Sequence, residues 1–441
     1  MPVKTRSKPG IFYGWRIVSA AFIAWALYGG FYFYGFSAFF MSFVNEFGWS
    51  RAALSGVFSL SRLEGGILGP VGGFLVDKFG PRKMMILGII IMGTGFILLS
   101  RIDSLLTFSL VFILCIALGG TLGIQQAPIV AITNWFIKKR GTAIGVGLSG
   151  MGLGGALVPV MAWLIVQYDW RTTVIILGIA LWVMGIPLAF VMRHRPEQYG
   201  YLPDGETKEI NARQNEPKVA EASQPPLMAS TKRVDSAREI NFTARQALRT
   251  KAFWLLALIF GLRQFVISAI VVHQIPFLTG IGISPGVAAT VLGSIAMISV
   301  VGRLGFGRLA DIFEKKYLMA ITMALITLGC FILANAQTLW HVIVFLVIYS
   351  PAYGGGSTLM QAIRAEYFGR QYFGSIMGFM DLAQIFGLTL GPVFAGLMYD
   401  TTGSYRLAFI TFAVTAGIAM MLMLIARRPA NTPSEATVIS Q

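Results

Sequence analysis

The sequence predicts an all-α membrane protein of twelve transmembrane helices in two six-helix pseudo-repeats. Composition is the first ground: 56% of residues are hydrophobic and 12% charged, against roughly 25% charged in soluble domains. A soluble chain could not hide that much apolar surface. Apolar runs are the second: stretches of about 20 residues, each enough to cross a ~30 Å hydrocarbon core, recur twelve times. The short alternating pattern of barrel strands does not occur. Internal repetition is the third. GFLVDKFGPRK at Gly73 matches GRLADIFEKK at Gly307, and Trp135-Phe136 with Gly141 to Gly145 matches Tyr367-Phe368 with Gly374 to Gly378. Pro159 matches Pro392, and Trp170-Arg171 matches Tyr405-Arg406. Four landmarks in near-constant register make two copies of one unit, a transporter architecture with its site between the halves near the midplane.

Charge gives the orientation. Most of the 35 Lys and Arg fall in the termini and in every second loop, while Arg51, Arg101, Arg171 and Arg406 flank the opposite loops. That asymmetry is the positive-inside rule, and it predicts a multi-pass cell-membrane protein with both termini cytoplasmic. The net charge of +16 therefore marks topology and contact with anionic lipid headgroups. No nucleic-acid-binding module accompanies it. Cys115 and Cys330 sit in separate spans, so neither a disulfide framework nor metal spacing is present. No cofactor is implied.

In chain order, residues 1–16 form a basic cytoplasmic tail and residues 17–192 a first six-helix bundle. The first span, 17–44, is too long for a signal segment and carries an aromatic cluster from Tyr28 to Phe36. Within it Tyr34, polar-tipped at mid-span, is a cavity candidate, with plain packing as its alternative. The second span, 52–76, has a glycine face suited to close helix packing and holds Arg62 and Glu64 near its middle. Two apart, these point to different faces and need different partners. The fourth span carries Gln125 and Gln126 before Pro128, and the fifth is glycine-rich with Pro159. Residues 193–251 are polar, rich in Glu, Lys, Pro and Ser, and read as a mostly disordered cytoplasmic linker with a short surface helix around 237–249. The second bundle covers 252–427, and 428–441 is a cytoplasmic tail. Its first span contains Arg263 and His273; its fourth contains Pro351 and three glycines that weaken the helix; its fifth contains Asp381.

The eighth span, 293–311, organises the rest. Arg303 lies deep within apolar sequence, and an unpaired cation at membrane depth costs a few kcal/mol on insertion scales. It should face a protein cavity and hold an anion, either a solute carboxylate or a buried side chain.

Together the two halves resemble the major facilitator superfamily, with only the tails and the linker outside the likeness. Gly73-x-x-x-Asp77-Lys78-x-Gly80-x-Arg82-Lys83 is similar to that superfamily's cytoplasmic loop motif. Asp77 can sit at the N-terminus of a helix in the other half, where the dipole favours an anion, with Arg82 and Lys83 as cross-braces. The alternative is a charged turn that only fixes topology. The second copy keeps Gly307 and Asp311 but has Glu314 at the loop glycine's position, so the first latch is expected to matter more. Trp135-Phe136-x-Lys138-Lys139-Arg140-x-x-Ala143-x-Gly145 looks like the motif of the monocarboxylate porters, a pattern shared by oxalate:formate antiporters. That resemblance implies that Arg303 binds a substrate carboxylate and that Tyr353, Tyr34, Gln126 and Gln125 line the cavity. Two departures stand out: Ser299 replaces the Asp one turn before the arginine, and Met380 replaces a second cation on the eleventh span. One carboxylate-binding cation suits a monoanion.

Proton coupling has three candidates: Asp381, Glu64 and His273. Asp381 and Arg303 both lie about eight residues from the cytoplasmic end, ~12 Å deep. Asp381 is thus expected as the partner of Arg303, either titrating as the cavity opens or as a permanent ion pair. Glu64 is a proton carrier or pairs with Arg263; His273, near the outer surface, is a relay or a packing residue. Arg62 has no assigned partner. The expected function is secondary transport of a small monocarboxylate, lactate- or pyruvate-like, by alternating access. The coupling partner is a proton or a counter-anion, and a monomer is the default. Anion exchange, export of a larger amphipathic compound and solute sensing without transport are the alternatives. No ATP-binding loop and no nucleophile–base set appears, so an enzyme is not expected.

Overall fold

The computed structural model describes residues 12–49, 51–205 and 241–429. Most of the N-terminal tail, the centre of the linker and most of the C-terminal tail lie outside the described residues. Within them the chain is helical, with no strand.

Eleven helices are long and apolar enough to cross a membrane: α1 (Tyr13–Phe40), α3 (Pro81–Leu99), α4 (Leu105–Trp135), α5 (Arg140–Tyr168), α6 (Trp170–Val191), α7 (Lys251–Gly280), α8 (Pro285–Leu309), α9 (Lys315–Ala334), α10 (Leu339–Phe368), α11 (Phe373–Thr402) and α12 (Arg406–Ile425). The twelfth, α2, is made of Arg51–Ile67 and Gly69–Phe79, joined by a bend at Leu68. Pro70 lacks an N–H and interrupts the backbone ladder there, yet Leu68 N still donates to the Glu64 carbonyl and Gly72 N to that of Leu68. The bend, the glycines and the Arg62/Glu64 pair make α2 the most polar of the twelve, so it stands apart from the others by length and hydropathy.

Buried apolar side chains form two clusters, one per bundle. Ala365, Phe373 and Met377 of the second bundle pack into the first cluster at the end that carries the basic loops, called the basic face below. There the bundles touch along two crossings, α2 on α11 and α5 on α8. At Gly73 a Cβ would stand 1.9 Å from the Gly374 carbonyl oxygen, and at Gly141 one would stand 2.4 Å from that of Gly307. Only glycine permits that approach.

The sequence repeat is thus a spatial repeat. Trp170 and Arg171 anchor the start of α6 by donating to Glu46, beyond the end of α1. In the second bundle the Tyr405 hydroxyl and the Pro392 carbonyl hold His273 of α7 at 3.1 and 2.9 Å. The Pro351 region departs from expectation. Despite its three glycines, α10 is one continuous helix, and these glycines admit neighbours: Gly354 faces the Ser299 carbonyl, Gly355 the Phe306 ring and Gly356 the Arg263 guanidinium. The described ends of the linker are ordered on the basic face. Asp204 accepts from the backbone N–H groups of Ile137, Lys138 and Lys139. A short helix, Ala244–Leu248, is closed by a Thr243/Gln246 capping box.

Candidate functional site

Arg303 lies on α8 where it crosses α5. Its side chain is 5% exposed. One terminal nitrogen donates to the Leu148 carbonyl of α5 at 3.1 Å, and Nε has no partner. No carboxylate of the described residues reaches it. The pairing with Asp381 expected from equal depth is not formed. Asp381 instead accepts from Arg364 at 2.7 Å, and the Gln384 amide donates to the same oxygen. Read from sequence, Arg364 belonged to a basic loop; α10 runs on to Phe368, which puts it inside the last turns, fully buried and over the Phe260 ring. Arg303 points toward the first bundle, to Leu148, and Arg364 toward α11, to Asp381.

Arg263 of α7 is also buried, and it donates to the Tyr353 carbonyl at 2.7 Å and to Met360 Sδ. The Glu64–Arg263 pair considered from sequence is therefore absent. Both oxygens of Glu64 are buried without a hydrogen-bond partner among the described residues. Arg62, two residues earlier, lies 4.8 Å from the Phe33 ring and 4.7 Å from the Phe58 ring.

Aromatic hydroxyls gather around these cations. Tyr34 closes a π-helical stretch of α1, Gly29–Tyr34, and lies within electrostatic reach of Arg62, Arg303 and Tyr353. Tyr353 stacks on Tyr349 at 6.2 Å. Gln125 and Gln126 end a second π-helical stretch, Gly120–Gln126, in α4. Such stretches re-aim side chains and recur at functional sites. Here they split the two amides. Gln126 is buried and donates to the Gly69 carbonyl of α2 at 3.1 Å, which makes it a helix tie. Gln125 is exposed at mid-span, where a polar amide belongs to a wet cavity rather than to lipid. His273 is held within the second bundle, remote in sequence and fold from this cluster.

Both loop aspartates meet a helix N-terminus of the other bundle. Asp77 accepts from Gly374 N at 3.1 Å and from Ser375 N and Oγ at 2.8 Å each, at the N-terminus of α11. Asp311 accepts from Gly141 N at 2.7 Å, Thr142 N at 2.9 Å and the Thr142 hydroxyl, at the N-terminus of α5. The second copy is as complete as the first, because Glu314 has φ −62° and needs no glycine, whereas Gly80 has φ +84°. Arg82 does not brace the other half. It donates to the Met192 and Phe190 carbonyls at the end of α6, within its own bundle, and Lys83 is exposed. The crossing between bundles is reinforced by a residue sequence reasoning missed. Arg370 donates to the Asn134 carbonyl and to Glu197. The only sign of it was one more basic residue in a basic loop. This conformer is closed at the basic face.

The sequence model of the Major Facilitator Superfamily matches residues 18–348 and, again, 266–440. The chain belongs to this superfamily, and it is a transmembrane transporter. It is 26% identical to monocarboxylate transporter 12 of Xenopus laevis, over 92% of this chain and 88% of that protein. It is 25% identical to a probable sulfoacetate transporter of Cupriavidus necator, over 86% of each. Among solved structures, a proton:xylose symporter superposes with a TM-score of 0.71 at 14% identity, covering 94% of this chain and 95% of that one. A human organic anion transporter superposes with 0.68 at 15% identity, covering 93% and 99%. These likenesses fix the superfamily fold of two six-helix bundles.

Proposed function

We propose that the chain moves a small carboxylate across the cell membrane by alternating access, with Arg303 as the carboxylate's counter-ion. One observation carries this reading: a buried guanidinium at the crossing of the two bundles has a single backbone hydrogen bond and no anionic partner. A cation kept at that depth needs an anion, and the solute supplies it. Tyr34, beside it along α5, offers a hydroxyl, and Tyr353 and Gln125 are further candidate contacts for the solute. The relatives named for monocarboxylates and for sulfoacetate support a small organic anion. Both latches sit on the basic face, which the positive-inside rule makes cytoplasmic, so this conformer is closed to the cytoplasm.

Proton symport is the leading coupling, with Glu64 as the carrier. A carboxylate with two unpartnered buried oxygens is tolerated as the neutral acid, and a proton leaving it would be released into the cavity. Anion exchange is the second reading; Ser299 in place of an acidic residue beside Arg303 favours it. The protein works as a monomer with membrane lipids around it.

The test is uptake of labelled lactate into proteoliposomes, with and without an inward proton gradient, for wild type and Arg303→Ala. Saturable uptake abolished by Arg303→Ala supports the site, and the gradient separates symport from exchange. Uptake indifferent to Arg303→Ala refutes it.

A further inference from the structure

Two arginines approach Tyr34 from opposite bundles, more positive charge than a monoanion can answer. Arg303 comes from α8 of the second bundle and Arg62 from α2 of the first. Arg62 lies 4.8 Å from the Phe33 ring, which packs on Tyr34 at 5.1 Å, while the Tyr34 ring and an Arg303 terminal nitrogen stand 3.8 and 2.8 Å from where a Cβ would lie at Gly155 and Gly152, neighbouring turns of α5. Arg62 is stacked against the Phe33 and Phe58 rings, but ring faces accept no conventional hydrogen bond from a guanidinium that has five N–H donors. Its Nε is buried and unpartnered, and no carboxylate of the described residues pairs with it. Glu64 does not serve, because neither of its oxygens receives a hydrogen bond. Arg263 is different: its terminal nitrogens are taken up by Tyr353 and Met360, so it ties α7 to α10. None of the three guanidiniums has an anion, and only Arg303 and Arg62, one on each bundle, keep a terminal nitrogen outside any hydrogen bond among the described residues.

We infer that the solute is a small dianion held between Arg303 and Arg62, with a carboxylate at one end and a second acid group, carboxylate or sulfonate, at the other. The inference rests on the carboxylate site at Arg303 and adds the second anchor. A guanidinium offers an acid group two parallel donors, so each end of the solute can be gripped as a fork. Such a solute touches both bundles at once, and without it neither Arg303 nor Arg62 has an anion. Arg62 is then the residue that sets selectivity between one charge and two. The sequence-based expectation of a monoanion counted only Arg303, because α2 gave no sign that Arg62 and Arg303 share a space.

The experiment measures competition against labelled sulfoacetate uptake in proteoliposomes, with acetate and malonate as competitors at matched ionic strength. In wild type, malonate should compete about ten- to hundredfold better than acetate, the worth of one charge-assisted contact. Arg62→Gln should collapse that ratio toward one, Arg62→Lys should restore part of it, and Arg303→Gln should remove uptake altogether. Equal competition by acetate and malonate in wild type overturns the inference while leaving the carboxylate site standing. So does an Arg62→Gln protein that weakens both competitors alike. No carboxylate uptake by folded wild type overturns both readings. Should Arg62→Gln fail to fold, thermal stabilisation of detergent-solubilised wild type decides: malonate must raise the melting temperature more than acetate does, and equal shifts refute the dianion.

Discussion

Replacing Asp77 by Asn should unlock the basic face. The Asp77 carboxylate uses both oxygens, taking Gly374 N on one and Ser375 N and Oγ on the other. Asparagine keeps one acceptor and turns an NH2 toward donors. A hydrogen bond to a charged group is worth about 1.5–3 kcal/mol and a neutral one about 0.5–1.5 kcal/mol, and the α11 N-terminus adds about 0.3–1 kcal/mol for an anion. Losing the charge and one acceptor therefore costs the closed state about 2–4 kcal/mol, or about 30- to 1000-fold in population. The opposite conformer lacks this contact and is not penalised. Spin labels at Asp103→Cys and Ser404→Cys, with Cys115 and Cys330 replaced by alanine, report the separation of the bundles at the other end. Asp77→Asn should add a shorter distance population absent from the parent. Distance distributions that superimpose would show that the latch carries no conformational preference.

Asp311→Asn should act alike, since its contacts are equivalent; a null effect beside a large Asp77 effect would restore the inequality suggested by Glu314. Asp381→Asn should lower stability by about 3–5 kcal/mol, because it strands the fully buried Arg364. The double variant with Arg364→Gln should recover part of that loss in thermal melts. If the double variant is no more stable than Asp381→Asn, the pair is not the main role of Asp381. Gly354→Val should abolish folded protein by size-exclusion profile, as a Cβ there would stand 1.9 Å from the Ser299 carbonyl oxygen. Gly80→Ala, at φ +84° and ψ 156°, a region essentially reserved for glycine, should cost about 1–3 kcal/mol, read as a lowered melting temperature.

What could be read from sequence differs between backbone and side-chain levels. Twelve spans, two bundles and the helix-capping roles of Asp77 and Asp311 follow from apolar run length, repeat register and dipole chemistry, all of which are local or one-dimensional. Pairing of charges is not. Arg303 and Asp381 were paired on depth alone, but Asp381 meets Arg364, which α10 carries in its last turns where the sequence showed a basic loop; helix ends and the rotation of each helix about its axis are quantities that residue counting fixes only to within a turn. Arg82 shows the same limit: its motif position suggested a brace to the other bundle, while the carbonyls of Phe190 and Met192 in its own bundle take up its donors. Arg62 shows the converse. Nothing in its neighbours assigned it a partner, and among the described side chains it has only the Phe33 and Phe58 rings, with no hydrogen-bond acceptor and no anion. A transporter must leave some charge unanswered until its solute arrives, so the residues sequence reasoning could not pair are those with the strongest claim to the solute.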